Sequence, residues 1–124
     1  MQTIYQTTIT QIGDFAREAL TDQMLITFRE GAPADIQDYC FIHRHGDMHG
    51  DMQGELHRGA YMELADVRYP VTAVGEVAML NLRELGHITL RFDGSAEAEF
   101  PGSVHVKGTA PDDIPLGSVL KFID

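Results

Sequence analysis

His87-Ile88-Thr89-Leu90-Arg91-Phe92-Asp93-Gly94 places an apolar residue at every second position and then meets a turn dipeptide. Alternation with a period of two marks a strand with one buried face. Asp-Gly is a hairpin-like turn signal. Other short stretches rich in β-branched or aromatic residues lie on both sides. Ile4 to Ile12 is rich in threonine and isoleucine, a strand composition. Met24 to Phe28 and Tyr39 to His43 read as buried strands. Tyr61 to Leu64, Asp66 to Val74, Ala98 to Phe100, Val104 to Val106 and Val119 to Phe122 complete the set. Short strands at this spacing predict a mostly β fold, a barrel or sandwich of largely antiparallel strands.

Two stretches read as short helices, Asp14 to Leu20 and Gly75 to Leu85. In the second, Val77, Leu80, Leu82 and Leu85 form an apolar stripe, and Gly86 supplies a C-terminal stop. No linker, repeat or composition break divides the 124 residues, so residues 1–124 are expected to form one domain. Hydrophobic residues make up 44% and charged residues 23%, values of a folded globular chain.

The formal net charge is −10, from 19 acidic and 9 basic side chains. Such a surface repels nucleic acid, and no Lys/Arg cluster offsets the repulsion. Anionic membrane surfaces are disfavoured for the same reason. No apolar run approaches the ~20 residues of a spanning helix, so no direct membrane insertion is expected. The first residues lack the basic start and apolar stretch of a signal peptide. The single Cys40 has no disulfide partner in the chain. A cytoplasmic location is the expectation.

Four of the six histidines, His43, His45, His49 and His57, lie within fifteen positions. His43 follows the apolar strand, and glycines at 46, 50, 54 and 59 predict a loop after it. In a continuing strand His43 and His45 share one side, with Arg44 on the other. Three readings stand side by side. A neutral imidazole can attack phosphorus without a separate base, with His45, Arg44 and the Gly46 N–H steadying the phosphoryl oxygens. Alternatively His43, His45 and His49, with Asp47 or Asp51, form a metal-binding module. In the third reading the loop is merely polar.

Other groups point less clearly to chemistry. Cys40 among Tyr39, Phe41 and Ile42 reads as a buried, inert thiol. His105, alternating with Val104 and Val106, is expected to face solvent. Asp112-Asp113 reads as a solvated turn. No phosphate-binding or dinucleotide-type glycine loop is present, which excludes the usual ATP-dependent kinases.

A further set of stretches is informative as a whole: Ile4 to Thr10, Asp22 to Phe28, Phe41-Ile42-His43, Tyr69 to Gly75, Asn81 to His87, Leu90 to Gly94, Glu97 to Gly102 and Val119 to Phe122. In these the chain resembles, nearly end to end, the glucitol/sorbitol-specific enzyme IIA component of the phosphoenolpyruvate-dependent sugar phosphotransferase system. The resemblance implies a mostly β single domain. It implies a relay from the histidine phosphocarrier protein to a IIA histidine, then to a cysteine of the IIB/IIC membrane permease that phosphorylates glucitol on entry. The family's phosphorylated histidine falls at His43. No metal, nucleotide or other cofactor is implied. The stretch from His45 to His57 is richer in His, Met and Asp than the family pattern. That departure bears on the second, supporting histidine: strand geometry favours His45, with His49 and His87 as alternatives.

Overall fold

A computed structural model describes residues 2–44 and 54–124. Among them the order of elements is β1 (Thr3–Ile12), α1 (Ala16–Thr21), β2 (Met24–Arg29), α2 (Ala34–Gln37), β3 (Phe41–Arg44), β4 (Tyr61–Leu64), β5 (Val67–Val74), α3 (Ala78–Leu85), β6 (Thr89–Arg91), β7 (Ser103–Val106) and β8 (Val119–Ile123). The strands close into a barrel in the order β1-β3-β2-β6-β7-β5-β4-β8. Of the barrel and the sandwich, the barrel is the architecture. Among the described residues the helices number three rather than one or two, because the four-residue α2 after Pro33 is too short to show a period.

Most neighbours pair antiparallel. Two pairs, β2 with β3 and β6 with β7, are parallel. Parallel neighbours need a crossover rather than a tight turn. Asp93-Gly94 therefore opens the crossover from β6 to β7, not a hairpin, and Ala98 to Phe100 lies inside that crossover without strand structure. A tight hairpin does join β4 to β5, where Ala65 and Asp66 both take positive φ, 49° and 67°. Two positive φ values are what a type I′ turn requires.

β1 serves two partners. Its register shifts between Thr3 and Tyr5 against β8, and between Ile9 and Gln11 against β3. Such bulges bend a strand and help a sheet close. Tyr5, Thr7 and Ile9 are its buried inner row.

β3 is buried on both faces. Phe41 joins the barrel core with Tyr5, Ile9, Leu25 and Leu90. Ile42 instead joins an outer cluster with Phe28, Ala32 and Cys40. A strand covered on both sides reads as a continuous apolar run, as residues 40–42 do at its start. α3 buries Ala78 and Leu82, while Val77, Leu80 and Leu85 are exposed. Of the predicted apolar stripe, only Leu82 is on the packed face. Gly86 ends the helix as expected, in the left-handed conformation at φ 62°.

Candidate functional site

His43 lies in β3, opposite Ile9 of β1 and Arg29 of β2. Its side chain follows Phe41 onto the inner face and is 0% exposed. The ring meets Tyr5 edge-on, at 6.4 Å between centroids. Both ring nitrogens have protein partners. Nδ1 is 2.8 Å from the Thr7 hydroxyl oxygen, and Nε2 is 2.7 Å from the carbonyl oxygen of Gly86. The Thr7 hydroxyl also donates to the Arg44 carbonyl.

The close approach of Gly86 depends on its lack of a side chain. A Cβ there would lie 2.7 Å from His43 Cε1, 2.8 Å from Nε2 and 2.9 Å from the Arg29 Cβ. The residue that stops α3 is therefore also the seat of the imidazole. Its carbonyl accepts a second bond from the Thr27 hydroxyl at 2.9 Å. Thr27 in turn accepts from the Ile88 N–H at 3.1 Å, and its own carbonyl accepts from His87 Nδ1 at 2.8 Å. The His87 ring packs against Phe28 at 4.9 Å. The turn after α3 is thereby stitched to β2, beside β3.

Proton counting constrains this network. A carbonyl oxygen only accepts, so the 2.7 Å contact puts a proton on Nε2. The hydroxyl of Thr7 has one proton for two acceptors, Nδ1 and the Arg44 carbonyl. When it goes to the carbonyl, Nδ1 must itself be N–H. All three bonds are then made by a doubly protonated ring. The ring also faces the carbonyl end of α3, where positive charge is favoured. Exposed Arg29 and Arg44 flank the strand end.

The other sequence candidates scatter. Arg44 is the exposed last residue of β3. His45, Gly46, Asp47, Met48, His49 and Asp51 lie outside the described residues. His57 is exposed and bonded to Asp124 and to the Arg58 carbonyl, away from His43. The Arg58 carbonyl and the Asp124 carboxylate raise its pKa. His87 is brought beside Gly86, but its Nδ1 is engaged by β2 backbone. Among the described residues no three His, Cys, Asp or Glu side chains converge as a metal site. Cys40 is buried, and burial pushes its thiol up to about 11.

His105 departs from the expectation of solvent. It is 1% exposed, with Nδ1 donating to Asp93 at 2.7 Å and Nε2 against the Ser103 hydroxyl at 3.1 Å. The β6–β7 crossover carries Asp93 over what would otherwise be the open face. This Ser-His-Asp trio is closed off, since Ser103 is 1% exposed and donates to the Phe100 carbonyl. It ties the crossover to β7. Phe41 and Ile42, beside His43 in sequence, are core residues.

Thr7 and the Gly86 carbonyl are the site groups that sequence reading missed. Thr7 does carry a signal: it falls in the inner row with Tyr5 and Ile9, where an apolar residue is the rule. A backbone carbonyl carries none.

Comparison with known proteins agrees with this architecture. The family described as PTS system glucitol/sorbitol-specific IIA component matches residues 4–121. The PTS system glucitol/sorbitol-specific EIIA components of Shigella flexneri and Escherichia coli are each 67% identical over 122 residues, which is 98% of this chain and 96% of theirs. The crystal structure of a PTS system IIA component from Enterococcus faecalis matches with a TM-score of 0.84 at 26% identity, over 96% of this chain and 99% of that one. The chain is a phosphotransferase relay protein and belongs to the family of glucitol/sorbitol-specific IIA components of the phosphotransferase system.

Proposed function

We propose that His43 is the phosphoryl carrier of this relay. A phosphoryl group arrives on the histidine phosphocarrier protein. A lone pair on a His43 ring nitrogen attacks phosphorus, the new N–P bond forms, and the bond to the donor histidine breaks. In the second transfer a cysteine thiolate of the membrane permease attacks, and the His43 N–P bond breaks. The permease then passes the group to glucitol (sorbitol) as it enters. The observation that carries this reading is the fixed pose of His43, held at both nitrogens by neutral oxygens at the end of an inner strand. In-line transfer is chiefly positioning and charge stabilisation.

Phosphorus must replace a protein partner at one ring nitrogen, so docking of the donor opens one of these two hydrogen bonds. The phosphoryl group brings roughly −1.5 to −2 charge at pH 7. Arg44, the Gly46 N–H and His45 are the proposed donors to it, and Arg29 adds a cation across the register. No helix among the described residues is long and apolar enough to cross a membrane, in keeping with a cytoplasmic relay partner of the permease.

The test is label transfer from phosphoenolpyruvate through enzyme I and the phosphocarrier protein. Wild type takes up an acid-labile, base-stable phosphate. His43→Ala takes up none. Uptake by that variant at the wild-type level refutes the assignment.

A further inference from the structure

We infer that Thr7 is a positioning residue for His43, fixing which ring nitrogen is held and which is presented to phosphorus. The inference rests on the reading of His43 as the phosphoryl carrier. A hydroxyl on the inner row of a barrel strand is costly unless it is hydrogen-bonded. Thr7 is 0% exposed and bonded twice, to His43 Nδ1 at 2.8 Å and to the Arg44 carbonyl. Of the neighbours of Thr7 in that row, Ile9 is an aliphatic core residue and Tyr5 packs edge-on against the His43 ring.

The two bonds act together. The Arg44 carbonyl can only accept, so it commits the single Thr7 proton. The Thr7 oxygen is then an acceptor directed at Nδ1, and Nδ1 keeps its proton. The nitrogen left to lose a proton is Nε2, on the side of the α3 turn. Its proton departs with solvent or partner, since the Gly86 carbonyl cannot take it. The Nε2 lone pair then forms the bond to phosphorus while the donor bond breaks. The Nδ1–H to Thr7 bond survives the transfer and holds the phosphorylated ring in place. A hydrogen bond to the second ring nitrogen serves elsewhere to set tautomer and orientation of a reacting imidazole. Here a hydroxyl anchored on the main chain of His43's own strand takes that part.

Thr7→Val keeps the shape of the side chain and removes the hydroxyl, whereas Thr7→Ser keeps the hydroxyl. Ring 15N spectra of the unphosphorylated protein, with the His43 signals identified by their loss in His43→Ala, read the tautomer directly. Wild type and Thr7→Ser are expected to show a protonated Nδ1 at neutral pH, and Thr7→Val a Nδ1 without a proton. Label uptake from the phosphocarrier protein is expected to slow about 10–100-fold in kcat for Thr7→Val. KM should stay within about twofold, and Thr7→Ser should return most of the rate. An unprotonated Nδ1 in wild type overturns the inference even if no variant folds. So does Thr7→Val transferring at the wild-type rate, or Thr7→Ser as slow as Thr7→Val. Failure of the carrier assignment is distinct: His43→Ala would take up label, while the Nδ1 signal would still report the Thr7 bond.

Discussion

Replacing Gly86 by alanine tests the structure at the point where helix, turn and imidazole meet. The backbone there sits at φ 62°, and a left-handed residue with a Cβ costs about 1 kcal/mol. The added carbon would also stand 2.7 Å from His43 Cε1 and 2.9 Å from the Arg29 Cβ, so a buried ring must shift. Overpacking of that kind costs about 1–3 kcal/mol. The sum is about 2–4 kcal/mol, which for a chain of this length lowers Tm by about 8–15 °C. Gly59→Ala is the control. Gly59 also has positive φ, 96°, but nothing lies within 4 Å of its added carbon. It should lose only the backbone part, about 1 kcal/mol. Urea unfolding of both variants gives the difference between them. In a His43→Ala background the Gly86→Ala penalty should shrink by about 1 kcal/mol or more, the coupling expected of residues in contact. If Gly86→Ala is no worse than Gly59→Ala, the ring does not rest on Gly86 and the site geometry is wrong.

Two further perturbations probe the crossover and the outer cluster. Asp93 feels burial, which raises its carboxyl pKa, but bonds from His105 and the Ser95 N–H and the charge of Arg91 hold it below the usual carboxylate value. Its contribution to stability is therefore full above the unfolded pKa and lost as pH falls through the lowered native one. Asp93→Asn should flatten the acid limb of a Tm-against-pH curve by less than about 1 kcal/mol, because the carboxylate is half exposed. Equal acid limbs in the two proteins would remove the clamp. Cys40, buried and with its thiol at about 11, should resist iodoacetamide at pH 8 until denaturant is added. Rapid labelling of the native protein would contradict the packing of β3.

The strands were legible because burial on one face writes a period of two into the sequence. His87 to Phe92 shows it directly, and Ile4 to Ile12 was legible instead from its threonine and isoleucine content. Pairing was not legible in the same way. Nothing local to β2 and β3, or to β6 and β7, says that they run parallel, and Asp93-Gly94 is the same dipeptide whether it closes a hairpin or starts a crossover. His105 was misplaced by the same gap. Alternation assigns two faces to a strand, but only the crossover decides that the second face of β7 is covered as well. In α3 the stripe of larger residues suggested the packed face, yet close contact with the barrel selects the small Ala78 beside Leu82.

The site shows a sharper division between what residue types encode and what the fold supplies. His43 stands out in the sequence because histidines cluster after it and an apolar strand precedes it. Yet among the described residues the ring bonds are made to a threonine hydroxyl and a glycine carbonyl. The hydroxyl comes from a strand 36 positions away and the carbonyl from a turn 43 positions away. Carbonyls are common to all residue types, so only the closure of β1 on β3 and the left-handed stop of α3 single these groups out. Neutral partners also suit a carrier. A carboxylate on the ring would repel an incoming phosphoryl group, whereas a hydroxyl and a carbonyl orient the ring without adding negative charge. The same economy explains why Gly86 serves twice: the conformation that ends the helix is the one that leaves room for the ring.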